Sequence, residues 1–316
     1  MEKMGSMPAL SIIIVNWNTK SLLEDCIDSI KALWGAVADE IIVVDNASSD
    51  GSAKMVEDKF PEIILIKNKE NVGFVKANNQ GSEIAKGKYL LLLNSDTKVL
   101  DSDVDKILEY MDKHPGVGAV TGKVLNEDGS FQRPFRRLPH PLGAFFRHTL
   151  RLILGFNTPF HKHFLMANYS SEQEYDVQCI TGAYFYVRRE FCIDNAIFDK
   201  GLSMYYEDTL LSHHIINLGA KIKYLPFAKI IHYGGSSARQ VRAWSVFKSF
   251  QGSVLYFRKT QSHVIASTYQ LSVYLLWNIL KSLFQICSLV PVAIFTRKKE
   301  LFSQLLQIYH SEMELK

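Results

Sequence analysis

Cysteine is scarce: Cys26, Cys179, Cys192 and Cys287 are scattered through 316 residues, and none forms a CxxC pair. They read as small apolar residues of a chain kept in a reducing compartment. Met1 to Ala9 lacks an apolar h-region, so no secretory signal is expected and the protein is placed in the cytoplasm. The formal net charge is only +4, too mild a basic excess to suggest a nucleic-acid binder. No glycine-rich turn follows the first apolar run, where Asn16-Trp17-Asn18 stands instead. That excludes a dinucleotide-binding oxidoreductase, and it removes the Gly-rich, Arg/Lys-bearing loop expected of a sugar-phosphate nucleotidyltransferase. Internal repeats and low-complexity tracts are absent as well.

What is present is a large core in prospect. Apolar residues make up 47% and charged residues 22% of the chain, a composition that excludes global disorder. Leu10 to Val15 and Glu40 to Val44 are short apolar runs, as strands buried on both faces would be. Ile63 to Ile66, Tyr89 to Leu93 and Val117 to Val120 are read as further strands. Helices are expected over Ser21 to Leu33, Phe74 to Ala85 and Asp101 to His114. The alternation predicts an α/β fold, a mostly parallel sheet flanked by helices. Ligands of such sheets bind beyond the carboxyl ends of the strands, so the loops after Val15, Val44 and Leu93 are where chemistry is expected.

From about Asn126 to Asp176 the pattern is irregular, rich in proline and aromatics, with a basic run at Arg133, Arg136 and Arg137. It reads either as a substrate-binding insert or as an ordinary structural excursion. Order returns at Gln178 to Val187, followed by a helix from Glu207 to Leu218 and strands at Ile222-Tyr224 and Lys229-His232. A first domain is expected over residues 8–240 and a helical C-terminal region over 241–316. Within the latter, Tyr269 to Phe295 is very apolar, with Lys281 its only charge, and Arg297-Lys298-Lys299 follow. Its length suits a bilayer, but Lys281 and Pro291 argue against a simple span. An interfacial membrane helix and a helix buried in the domain or in a homodimer remain alternatives; the first would place the protein at the inner face of the membrane.

Four places could carry chemistry, each with a plainer alternative. Asp45, at the end of the second strand, can accept hydrogen bonds from a nucleobase or ribose, or serve as an Asx turn or helix cap, since Ser48, Ser49 and Asp50 lead into a helix. Asn94-Ser95-Asp96 follows a core strand; Asp96 can bind a divalent cation and through it a diphosphate, or cap a helix. Glu207 and Asp208 open a helix, where the macrodipole favours acids, and one of them can act as general base. His232, at a strand end, is a metal ligand or a structural histidine.

Taken together, the order of these segments resembles family 2 glycosyltransferases of the GT-A nucleotide-diphospho-sugar transferase fold, and most closely the bacterial rhamnosyltransferase-type branch. The resembling segments are Ser11 to Asn18, Val43 to Ser52, Asn71 to Phe74 with Asn78 to Gly81, Leu92 to Thr97, Thr181 to Ala183, Met204 to Asp208, and His232 with Gly234-Gly235-Ser236. The resemblance implies an inverting transfer of a sugar, rhamnose from dTDP-rhamnose as the first choice, from a nucleotide-diphosphate donor to a glycan or lipid-linked acceptor. It implies donor contacts at Asn16, Asn18, Asp45, Asn71, Gly73, Ser95, Gly182 and Ala183, and a cation, Mg²⁺ or Mn²⁺, at Asp96 with His232. Asp208 would be the catalytic base with Glu207 beside it. Three departures stand out. Asn94 replaces the first acid of the DxD-type motif, Leu210 replaces a second Asp, and Val75-Lys76-Ala77 replaces small residues. The first two keep open a non-catalytic relative that binds a nucleotide sugar or a partner.

Overall fold

A computed structural model describes residues 8–38, 40–154, 159–192, 195–234, 242–287 and 293–314; Gly235, Ser236 and Pro291 lie outside them. The chain opens with β1 (Leu10–Asn16), α1 (Lys20–Trp34), β2 (Glu40–Asp45), α2 (Ser52–Lys59), β3 (Ile64–Lys67), α3 (Phe74–Ile84) and β4 (Tyr89–Asn94). Next come β5 (Thr97–Val99), α4 (Val104–Lys113), β6 (Val117–Leu125), β7 (Phe131–Gln132), β8 (Phe135–Arg136), α5 (Pro141–His148), α6 (Leu150–Leu154) and α7 (Pro159–Phe164). The last are β9 (Tyr175–Val177), β10 (Cys179–Ile180), β11 (Tyr184–Arg188), α8 (Glu207–Asn217), β12 (Lys221–His232), α9 (Arg242–Thr260), α10 (His263–Cys287) and α11 (Ala293–Glu314). These residues fall into two compact units. The first takes the described residues within 8–138, 168–203 and 207–234; the second takes those within 139–167, 204–206 and 242–314.

The first unit is built on a sheet of order β3-β2-β1-β4-β11-β6-β12-β5. Strands β3, β2, β1 and β4 run parallel, as do β6 and β12, while β11 is antiparallel between β4 and β6. The expected α/β, mostly parallel arrangement is therefore present, in mixed form. Central strands β1 and β4 are almost wholly buried, which is why they read as continuous apolar runs rather than alternating ones. Helix α3 lies so close on β1 that a Cβ at Gly81 would stand 2.6 Å from Ile13 Cγ2. At the end remote from the carboxyl ends of the strands, buried Ser11 and Glu40 hydrogen-bond each other and take the Gly87 and Lys86 amides at 2.7 Å each.

Some local expectations need correction. Ile222-Tyr224 and Lys229-His232 are one strand, β12, interrupted by an irregularity between Tyr224 and Lys229 where Pro226 breaks the ladder. Asp101 does not open a helix. Its carboxylate accepts from the Lys229 amide at 2.5 Å, tying the loop to β12. The short β5, which pairs Thr97 with His232, carried no signal of its own.

In the second unit, α9, α10 and α11 pack with α5 around Phe250, Trp277 and Phe302. Buried His148 ties three of these helices. Its Nδ1 meets Tyr269 Oη at 2.8 Å, its Nε2 meets Ser249 Oγ at 3.2 Å, and its carbonyl accepts from Trp277 Nε1 at 2.8 Å. Burial, with Arg147 beside it, holds this imidazole well below the usual histidine range. Among the described residues no helix is long and apolar enough to cross a membrane.

Candidate functional site

Parallel pairing sets the carboxyl ends of β2, β1 and β4 side by side, with Asn16 opposite Asp45 and Val15 opposite Asn94. Asn16, buried, donates Nδ2 to Asp45 Oδ1 and to Ser48 Oγ, both at 3.1 Å, and accepts from Thr19 Oγ1 at 2.7 Å. The other Asp45 oxygen takes the Ser48 amide at 3.0 Å. That bond spans three residues rather than the two of an Asx turn, and it fixes the carboxylate at the strand end. Asn18 and Ala47 hold left-handed backbone, φ 53° and 62°, and the Asn18 Oδ1 accepts from the Ser49 amide at 2.7 Å. Ser95 meets Thr19 at 3.0 Å, linking the β1 loop to the β4 loop.

Asp96 and His232 stand together, Oδ1 to Nε2 at 3.2 Å, and Asn94 Nδ2 reaches the same nitrogen at 3.2 Å. The network assigns the tautomer. Gln132 donates to Asn126 Oδ1 at 2.8 Å, so its Oε1, 2.5 Å from His232 Nδ1, is an acceptor and Nδ1 carries the proton. The Nε2 lone pair then faces a carboxylate. Asn94 Nδ2 donates to that lone pair, and the Asp96 carboxylate lies beside the same nitrogen. Among the described residues no third His, Cys, Asp or Glu joins them.

Asn71 reaches this rim indirectly, through Asn46, whose Nδ2 donates to Asn71 Oδ1 at 2.8 Å. Gly73 has φ 86°, and a Cβ there would stand 3.4 Å from the Ser203 carbonyl oxygen, so the left-handed turn and the close passage both favour glycine. The Asn94 amide donates to the Ala183 carbonyl at 3.2 Å, which seats Ala183 against the end of β4. At neighbouring Gly182 an added Cβ would meet only the Phe74 ring, at 4.0 Å, so the space before it is open. Lys76 is exposed.

Asp208 and Glu207, both buried at the start of α8, have unlike surroundings. Asp208 Oδ1 accepts from Arg136 Nη2 at 2.9 Å and from Thr209 Oγ1 at 3.0 Å. Among the described residues Glu207 Oε2 is buried without a hydrogen-bond partner. Burial, with the Asp208 charge adding to it, pushes the Glu207 carboxyl well above the usual carboxylate range. Arg136 lies in β8, which pairs with β10 just before Gly182 and Ala183. The acid pair therefore borders the strand that feeds this same rim, although no hydrogen bond joins Asp208 to Asp45 or Asp96 among the described residues. Sequence reasoning did not single out Ser48, Thr19, Gln132 or Arg136. Two had a signal: Arg136 in the basic run at 133–137, and Ser48 within the Val43 to Ser52 segment.

The fold is GT-A. A mannosyltransferase from Pyrobaculum calidifontis, solved with GDP-Man and Mn²⁺, superposes with a TM-score of 0.52 at 15% identity, covering 96% of this chain and 86% of that one. The model of Glycosyl transferase family 2 matches residues 11–192, more than half of the chain, and the protein belongs to that family. A Bacillus subtilis glycosyltransferase named for teichuronic acid biosynthesis is 29% identical over 143 residues, 43% of this chain and 55% of that protein. The N-acetylglucosaminyl-diphospho-decaprenol L-rhamnosyltransferase of Mycobacterium tuberculosis is 24% identical over 212 residues, 62% of this chain and 67% of that protein. The chain thus spans about half the length of the first of these relatives.

Proposed function

We propose that the protein is an inverting glycosyltransferase, moving a sugar from a nucleotide-diphosphate donor to a hydroxyl of a glycan or lipid-linked acceptor in surface polysaccharide synthesis. The observation that carries this reading is the rim itself. It combines a hydrogen-bonded Asn16–Asp45–Ser48 cradle with an Asp96–His232 pair, while Arg136 of β8, paired with the β10 strand that leads to Gly182 and Ala183, holds the Asp208 carboxylate. In this reading Asn16, Asn18 and Asp45 take the nucleoside, Asn71, Gly73 and Ser95 border the phosphates, and Gly182 and Ala183 leave room for the sugar. The name of the mycobacterial relative favours rhamnose, hence dTDP-rhamnose as donor.

Asp208 accepts the acceptor hydroxyl proton on Oδ2 while that oxygen bonds to the anomeric carbon. The bond to the diphosphate oxygen breaks on the opposite face, inverting the configuration. Arg136 and Thr209 hold Oδ1, so the free oxygen is aimed by two hydrogen bonds. Glu207, uncharged at neutral pH, avoids a second negative charge beside the base. Asp96 and His232 fit a divalent cation such as Mg²⁺ or Mn²⁺, since one carboxylate and one imidazole leave positions for diphosphate oxygens and water. Bound there, it would neutralise charge on the leaving diphosphate.

A thermal-shift screen of nucleotide sugars, each with and without Mn²⁺, should give a metal-dependent rise in Tm for one donor. Transfer from that donor should vanish with EDTA and in Asp208→Asn. Donor binding with no transfer or hydrolysis would instead identify a non-catalytic nucleotide-sugar binder.

A further inference from the structure

The mild net charge of the whole chain hides a division. The spans 139–167, 204–206 and 235–316, which hold the second unit, carry thirteen Lys and Arg against three Glu, a formal +10, whereas the rest of the chain carries 23 against 29, or −6. From Thr209 to Lys299 there is no Asp or Glu at all. Helix α10 lies within this stretch. Its 25 residues extend about 37 Å at ~1.5 Å per residue.

Both faces of α10 carry large apolar residues, with Thr268 and Ser282 exposed among those of the outer face. The inner face, Ala266, Tyr269, Val273, Trp277 and Leu280, is buried in the second unit. The outer face presents Val264, Leu271, Leu275, Ile279, Leu283 and Ile286, each 50–74% exposed. Their spacings of seven, four, four, four and three keep them on one side of the helix. An apolar stripe of this length is unusual on a protein surface and marks an interaction site. Cations bracket it. Arg258 and Lys259 close α9 just before α10, and Arg297 and Lys299 lie in the second turn of α11 just after it, while Lys298 between them donates to the Leu152 carbonyl.

We infer that α10 lies along the surface of an anionic phospholipid bilayer, its outer face at the headgroup–acyl boundary and the flanking cations on the lipid phosphates. Apolar burial and attraction to anionic headgroups are the two contributions that bind an interfacial helix, and this unit offers both. A second copy of the chain would cover the same face only by bringing two +10 units together, which like-charge repulsion opposes. The inference does not depend on the chemistry of the first unit.

The test is flotation of the full chain with vesicles of phosphatidylcholine alone or mixed with phosphatidylglycerol. Binding should require the anionic lipid and weaken with salt. Leu275→Glu with Ile279→Glu should weaken it ~tenfold or more, and Arg297→Gln with Lys299→Gln about tenfold. Both variants should keep the wild-type melting temperature, because the changed side chains lie outside the core. The inference fails if anionic vesicles do not float the protein, or if the Leu275→Glu/Ile279→Glu variant floats as well as wild type. It fails equally if that variant turns a lipid-independent dimer into a monomer.

Discussion

Asp208 and Glu207 are neighbours with opposite assignments, and the difference is environmental. One is met by a guanidinium and a hydroxyl; the other is buried with an oxygen that has no partner among the described residues. General-base assistance typically contributes about 10²–10⁴-fold, so Asp208→Asn should lower kcat by that order with donor affinity little changed, measurable by transfer assay beside calorimetric donor titration. Glu207 has the reverse linkage from most carboxylates. With its folded pKa raised, the native state holds a proton that the unfolded state releases above about 4.3, so stability falls as pH rises from there through neutrality. Melting temperatures of Glu207→Gln should therefore exceed wild type by a margin that widens toward alkaline pH. At the other acid, Gln132 orients His232 from behind. Loss of such a partner typically costs about 10–100-fold in metal affinity, so Gln132→Ala should weaken Mn²⁺-dependent donor binding by that order while Asp96 is intact.

At the scale of elements, the site depends on how tightly β1, β4 and α3 are stacked. Gly81 leaves room that Ile13, fully buried, cannot cede. Gly81→Ala should destabilise by about 1–2 kcal/mol, overpacking outweighing the gain in helix propensity, and a thermal melt would register it. The loops beyond these strands are held by side chains rather than ladders: Ser48 and Asn18 fasten the β1 loop to the β2 loop, and Thr19 fastens it to Ser95. The left-handed residues Asn18 and Ala47 sit in these loops, where irregular backbone is repaid by position.

For the molecule as a whole, the two units differ in charge sign as well as architecture. The second also carries an acid-sensitive histidine. His148 is buried neutral, so below about pH 6.5 the unfolded chain takes up a proton that the native state refuses. Stability should decline by up to about 1.4 kcal/mol per pH unit below that point. His161, pushed down to about 4 by burial and by Arg151 and Arg147, adds to the effect. His148→Gln should have a flatter profile between neutral and mildly acidic pH, at some cost in stability at pH 7.5, as followed by circular dichroism.

Much of this protein was legible in the order of its residues. The apolar runs at Leu10 to Val15 and Tyr89 to Leu93 are too short for helices and lack alternation, so they read as strands buried on both faces. The turn-forming residues after them mark where the chain leaves the sheet, and the spacing of these segments carried the family. Tertiary structure decided the rest. It put β11 antiparallel inside the sheet, joined β12 across Pro226, and brought Gln132 to His232 and Arg136 to Asp208 across 100 and 72 positions of chain. Sequence periodicity reports which face of an element is dry. It is blind to which polar side chain from a distant segment arrives to complete a hydrogen bond, because that depends on how the loops close.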